Sequence, residues 1–214
     1  MECELRCQRR PKAMTPALPR TVAILVFDEV EILDFAGPYE VFSVASELLR
    51  PSPFFVFAVG LTTQPALGRG RLMVTPRYSI ADCPRPDILV IPGGQGTRPL
   101  LRHEALLAWI AGCAEGAELC LSVCTGALLL GAAGLLKDRA ATTHHGAFET
   151  LAALSPSTEL RRDRRFVEAT PKIITSGGIS AGIDMSLHVV ERLLGAQSRA
   201  MVEEEMEYGR FAAP

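Results

Sequence analysis

Four apolar runs recur along the chain, each five to eight residues long. They are residues 21–27 (TVAILVF), 54–61 (FFVFAVGL), 87–91 (DILVI) and 119–123 (LCLSV). Short runs without a polar alternate predict strands covered on both faces, the signature of a parallel sheet. Between them the polar spacing changes. Residues 28–34 read as a loop, and Gly37-Pro38 opens a helix over 39–49, because proline is well tolerated where the first helical N–H has no partner anyway. Residues 72–76 with 78–80 predict a short hairpin or edge pair. Residues 100–113 predict a helix with Leu106, Leu107, Ile110 and Cys113 on one face. Further on come a small β segment at 140–143, a helix at 147–154, two strands at 164–169 and 172–175, an apolar helix at 183–194 and an acidic helix at 198–208. Strands alternating with helices imply an α/β three-layer sandwich with a mostly parallel central sheet. The elements run on without a linker or repeat from residue 21, which predicts a single domain over 21–214.

The longest uncharged stretch, residues 119–136 (LCLSVCTGALLLGAAGLL), has the length of a membrane span. It does not read as one. It opens with a β-like run, turns at Cys124-Thr125-Gly126, and continues in good helix formers without a β-branched residue. Strand, sharp turn and helix make the layout of a nucleophile elbow, with Cys124 at its tip. There the amides of the new helix point at the sulfur, and the expected effect is a lowered thiol pKa. A buried, inert cysteine is the other reading.

Composition narrows the classes. With 214 residues and 48% hydrophobic content the chain suits one core of ordinary globular type. The net charge of -2 is uneven: the first 20 residues carry net +3 and the rest net -5. No field for nucleic acid results, and residues 1–20 read as a flexible basic extension. That extension has no apolar segment of signal-peptide length and contains three prolines. Cys3 and Cys7 are spaced like half a metal site, but no second pair follows, so no metal is expected. The other cysteines lie in apolar context, as reduced cytoplasmic thiols do.

In open α/β sheets chemistry gathers beyond the carboxyl ends of the strands. That rule brings together residues 28–34, Gly93-Gly94, Cys124 and Thr143-His144-His145. Gly93 and Gly94 can offer backbone donors to a developing charge, or form only a turn. Asp34 stands in an apolar setting (ILDFA), where burial would raise its pKa; a helix N-cap is the alternative role. His144 and His145 are adjacent, so only one can face a site shared with Cys124; either can equally be a surface or satisfied buried histidine. Asp184, behind the glycine-dense 176–183, reads as a first-turn or capping acid.

Taken together, ILDFAGPYEVF (32–42), DILVIPGGQG (87–96), SVCTGALLLGAAGLL (122–136), ATTHH (141–145) and SGGISAGID (176–184) resemble the ThiJ/PfpI superfamily, and within it the isonitrile hydratases. The resemblance implies a flavodoxin-like (class I glutamine amidotransferase-like) sandwich, a homodimer, no cofactor and a small-molecule substrate. It implies Cys124 as nucleophile, Asp34 as its carboxyl partner and the amides of Gly94 and Thr125 as an oxyanion-hole-like pocket, with Ile179 lining it and His144 close by. The implied reaction is hydration of an isonitrile to an N-substituted formamide. Glyoxalase- or deglycase-like hydrolysis and cysteine-based redox sensing are the alternatives within the same resemblance. His145 departs from the aromatic that the hydratases carry there. Some superfamily regulators add a DNA-binding helix-turn-helix module; none is expected here, nor direct operator binding.

Overall fold

The computed structural model describes residues 18–209. Most of the basic extension, with Cys3 and Cys7, lies outside the described residues. In chain order the elements are β1 (Arg20–Val26), α1 (Ile32–Leu48), β2 (Phe54–Gly60), β3 (Ala66–Leu67), β4 (Met73–Val74), β5 (Tyr78–Ser79), β6 (Ile88–Ile91), α2 (Thr97–Leu100) and α3 (Glu104–Gly116). There follow β7 (Leu119–Val123), α4 (Gly126–Ala132), β8 (Ala140–Ala141), α5 (Phe148–Leu154), β9 (Glu159–Leu160), β10 (Phe166–Glu168), β11 (Ile173–Ser176), α6 (Ala181–Leu194) and α7 (Ala196–Glu205).

Seven strands form the central sheet in the order β10-β11-β7-β6-β1-β2-β5. All neighbours are parallel except β10, which runs antiparallel to β11. The apolar runs became the middle of this sheet for the reason their composition suggests. Every residue of β6 and β7 is buried, because α1, α6 and α7 pack as one layer and α2 to α5 supply the other. The flavodoxin-like sandwich expected from the resemblance is the fold observed.

Several boundaries differ from the sequence reading. The helix expected to open at Gly37-Pro38 begins at Ile32, and Pro38 lies inside it. Asp34 is therefore in the first turn and not a cap; the N-cap position belongs to Glu31, whose side chain makes no cap bond. The helix expected over 100–113 is two pieces. The second starts after His103, whose Nδ1 accepts from the Leu106 N–H at 3.2 Å. The 72–76 segment pairs backward as β4 with β3, while β5 joins the sheet edge beside β2. The segment at 140–143 is shorter and stays out of the central sheet, pairing with β9. The helix after Cys124 ends at Ala132, and no helix among the described residues is long and apolar enough to cross a membrane.

Candidate active site

The site is assembled by loops that leave the carboxyl ends of β1, β6, β7 and β11. Cys124 is the first of the two residues between β7 and α4, with φ at +57°. A non-glycine residue held in left-handed backbone is strained, and such strain is kept only where neighbours over-determine it. Here they do. The Cys124 N–H donates to the carbonyls of Ser176 and Gly177 at 3.1 and 3.2 Å, and its carbonyl accepts from Thr143 Oγ1 at 2.8 Å. Gly126 permits the turn: a Cβ there would meet the Ile91 carbonyl oxygen at 2.0 Å. The expected elbow is present.

The β1 and β6 loops are bonded to one another. Glu31 N–H donates to the Gly93 carbonyl at 2.9 Å, Val30 bridges Gly94, and Gly93 N–H donates to Asp34 Oδ2 at 3.0 Å. Gly94 has φ +127°, and a Cβ on it would stand 2.2 Å from the Glu29 carbonyl oxygen, so only glycine fits. This fastening carries Asp34 from the first turn of α1 to the sulfur of Cys124. The carboxyl is fully buried, and it and the Cys124 thiol shift one another's ionisation. Asp34 Oδ1 has no hydrogen-bond partner among the described residues. A buried orphan acceptor beside a thiol is an arrangement with chemical consequences.

A model of the DJ-1/PfpI family matches residues 20–192. The chain belongs to the DJ-1/PfpI family. Isonitrile hydratase of Pseudomonas putida is 35% identical over 190 residues, covering 87% of this chain and 78% of that protein. The HTH-type transcriptional regulator GbdR of Pseudomonas aeruginosa is 25% identical over 194 residues; the chain spans 52% of its length. Among solved structures, a ThiJ/PfpI family protein from Pseudomonas syringae superposes with a TM-score of 0.81 at 27% identity, over 99% of this chain and 86% of that one.

In this DJ-1/PfpI chain a cavity of about 220 Å³ opens onto Cys124, lined also by Thr125, Gly94, His144, Ile179, Arg98 and Arg69. A larger cavity of about 430 Å³ between α1 and β2 holds no nucleophile. Not every expected role survives the geometry. Gly93 supports Asp34 from behind rather than lining the cavity. Gly94 lines it, but its N–H is given to Thr125 Oγ1 at 2.9 Å, so it is not an open oxyanion donor. The Thr125 N–H and hydroxyl act to lower the pKa of the Cys124 thiol. His144 faces the cavity while His145, stacked on it at 4.1 Å, is exposed. His144 Nδ1 accepts from the Gly146 N–H at 3.1 Å, and burial lowers its pKa, aided by His145 and Arg98. Asp184 is in the first turn of α6, as the sequence suggests, accepting from Arg165 and Tyr208 away from the sulfur.

The ionisation of the Cys124 and Asp34 pair corrects one expectation and agrees with another. Burial pushes the Cys124 thiol up to about 12, and the charge of Asp34 adds to this; the Thr125 N–H and hydroxyl draw it back only in part. This runs against the expected lowering: the sulfur is buried, and burial is the largest influence on it. Burial likewise raises Asp34, from 3.8 to about 7. The pair thus rests with the proton on sulfur and a carboxylate next to it that is basic for an aspartate.

Sequence reasoning missed Glu31, Gln95, Arg69, Arg98 and Gly178. Glu31 and Arg69 pair at 2.5 Å across 38 residues, with no local signal. Gly178 was part of a quoted motif, yet its role is steric: a Cβ there would stand 2.6 Å from Cys124 Sγ and 2.9 Å from His144 Cδ2. Arg98 follows the PGG turn by four residues, at the start of a helix, and that spacing was the available clue. Among the described residues no group of three or more His, Cys, Asp or Glu is placed to hold a metal ion, and Cys83, Cys113, Cys120 and Cys124 are free thiols.

Proposed function

We propose that this chain is a cysteine-dependent enzyme that adds water to an isonitrile, giving an N-substituted formamide. The observation that carries it is the buried Asp34 carboxyl, with one oxygen lacking any hydrogen-bond partner among the described residues, near the thiol of Cys124 at the elbow. The likeness to the Pseudomonas putida isonitrile hydratase supports the choice of substrate.

The raised pKa values give the pair its work. The terminal carbon of an isonitrile accepts a nucleophile and needs a proton on the same atom. Cys124 Sγ forms the S–C bond while its proton passes to the Asp34 carboxylate, and Asp34 hands that proton to the carbon. The product is a thioimidate, with the C–N triple bond reduced in order to a double bond. Water then adds to the thioimidate carbon, its second proton reaching nitrogen by way of Asp34. The C–S bond breaks, the thiol recovers a proton and the formamide leaves. No redox partner is consumed. Thr125 N–H, which favours ionisation of the sulfur, steadies its negative charge during transfer. Gly178 leaves the room beside the sulfur that an incoming carbon requires.

The test is purified protein with an alkyl isonitrile, followed by formamide release, with Cys124→Ala and Asp34→Asn alongside. Turnover in wild type and its loss in both variants is expected. Turnover by folded Cys124→Ala protein would end the reading. The peroxide-sensor alternative draws on the same contact, since a protonated Asp34 can hydrogen-bond a cysteine sulfinate. A thiol pushed to about 12 is nonetheless a slow target for peroxide at neutral pH. The expected result of a peroxide titration is therefore no preferential oxidation of Cys124.

A further inference from the structure

One cation at the cavity has no task in the reaction just described. Arg98 lines the same small cavity as Cys124. Its Nη1 donates to the Gly94 carbonyl at 2.8 Å and to Thr97 Oγ1 at 3.1 Å. The guanidinium is thus anchored on the turn beside the nucleophile instead of swinging free. No ion pair among the described residues includes Arg98. The other arginine at the cavity, Arg69, is matched by Glu31, with Glu29 acting on it as well. His144 adds no charge at neutral pH, since its pKa is lowered. Among the lining residues one acid, Glu31, stands against two cations; Asp34 is buried outside the lining, and no carboxylate is paired with Arg98. Isonitriles and formamides carry no net charge at the reacting atoms. Their interconversion gives no reason for a fixed guanidinium without an ion-pair partner in the lining of the nucleophile's cavity.

We infer that Arg98 reads an anion on the substrate: a small carboxylate is held by the free edge of its guanidinium while the reactive carbon reaches Cys124 Sγ. A guanidinium has five N–H donors in a fixed fork that suits a carboxylate, and three, on Nε and Nη2, are left after Nη1 is engaged by the turn. The cavity is small and both groups line it, so the carboxylate and the reacting carbon belong to one compact molecule. That this molecule is an isocyano carboxylate rests on the proposed reaction. The anion subsite itself rests only on the cavity and its charges.

Two measurements on the full chain separate these levels. The first uses alkylation of Cys124 by iodoacetate and by iodoacetamide, followed at the Cys124 peptide by mass spectrometry. In each case sulfur displaces iodide and gives up its proton, so the thiolate fraction cancels in the ratio of rates. The half-buried Cys83, remote from this cavity, is the internal reference. The iodoacetate to iodoacetamide ratio is expected to be at least tenfold higher at Cys124 than at Cys83. Arg98→Gln, which keeps an N–H donor for the Gly94 carbonyl, should lower it about tenfold, and Arg98→Lys should retain most of it. Equal ratios at the two cysteines in wild type, which needs no variant to fold, would overturn the inference. So would a ratio that Arg98→Gln leaves unmoved. The second compares kcat/KM for isocyanoacetate and its methyl ester, with at least tenfold preference for the acid expected and loss of that preference in Arg98→Gln. Turnover of both without preference would remove the anion subsite and leave the reaction standing. An Arg98-dependent iodoacetate preference without turnover of either would do the reverse.

Discussion

The N–H of Gly93 and the carboxylate of Asp34 meet at 3.0 Å, and this bond ties the end of β6 to the first turn of α1. It fixes Asp34 Oδ2 and leaves Oδ1 without a hydrogen-bond partner among the described residues. Because the pair carries its exchangeable proton near neutrality, activity should depend on pH there. Below about 7 the carboxylate is protonated and cannot receive the Cys124 proton. We expect kcat/KM for isonitrile hydration to fall tenfold per pH unit on the acid side, with an apparent pKa near 7 belonging to the pair. Asp34→Asn should lower kcat/KM by about 10²-fold or more and abolish that limb. A flat profile from pH 6 to 8 in wild type would contradict the role given to Asp34.

The same shift has a consequence for stability. Asp34 binds its proton more tightly folded than unfolded, so the stability it contributes is fully present below about pH 4. It is lost as pH rises through about 7. Asp34→Asn keeps an acceptor for Gly93 and never ionises. At pH 8 the variant should be more stable than wild type, with about 4 kcal/mol as the ceiling set by the shift. The difference should close as the pH approaches 4. Urea midpoints of both proteins across this range test the sign.

These expectations depend on a site whose frame was legible in the chain and whose rim was not. The buried runs at 87–91 and 119–123 became β6 and β7 because nothing polar interrupts them, and Cys124-Thr125-Gly126 gave the elbow. The start of α1 was misread. Pro38 marks a helix start by local rules, but burial of Asp34, Phe35, Val41 and Phe42 against the sheet holds one helix through it. The direction of the Cys124 shift was misread for a related reason: a dipole can be inferred from a helix start, whereas the extent of enclosure by Gly178, Thr143 and Asp34 is tertiary. Arg69 and Arg98 reach the cavity from a 3-10 turn and a four-residue helix, segments too short for periodicity to carry information.

Gly178 gives a steric prediction. A methyl group there would lie 2.6 Å from Cys124 Sγ and 3.0 Å from its Cβ, and these atoms are pinned by the bonds to Ser176, Gly177 and Thr143. Gly178→Ala should therefore occupy the approach to sulfur, costing about 1–3 kcal/mol of stability. Its effect on kcat/KM should be larger, because substrate carbon and the new methyl compete for one place. Chemical denaturation and alkylation of Cys124 by iodoacetamide would show this as a moderate stability loss with a thiol that no longer reacts. Reaction at the wild-type rate would refute the crowding.

Thr125 joins the two loops from the other side. Its Oγ1 accepts from the Gly94 N–H at 2.9 Å, lies 3.2 Å from the Gly94 carbonyl and receives a further contact from Thr97 Oγ1 at 3.4 Å. The residue is nearly inaccessible, so removing the hydroxyl strands a buried N–H. Thr125→Val, close in shape, should cost about 1–3 kcal/mol, and Thr125→Ser should recover most of it. Activity separates two roles for the hydroxyl. If it only fastens the turn, both variants keep the pH profile and lose kcat in proportion to their instability. We expect instead that Thr125→Val loses more kcat than its instability accounts for, because the hydroxyl of Thr125 favours ionisation of the Cys124 sulfur. The acid limb, which belongs to Asp34, should stay in place. Thr125→Ser should restore kcat, and a loss in Thr125→Val no larger than its instability would reduce Thr125 to a fastening for Gly94.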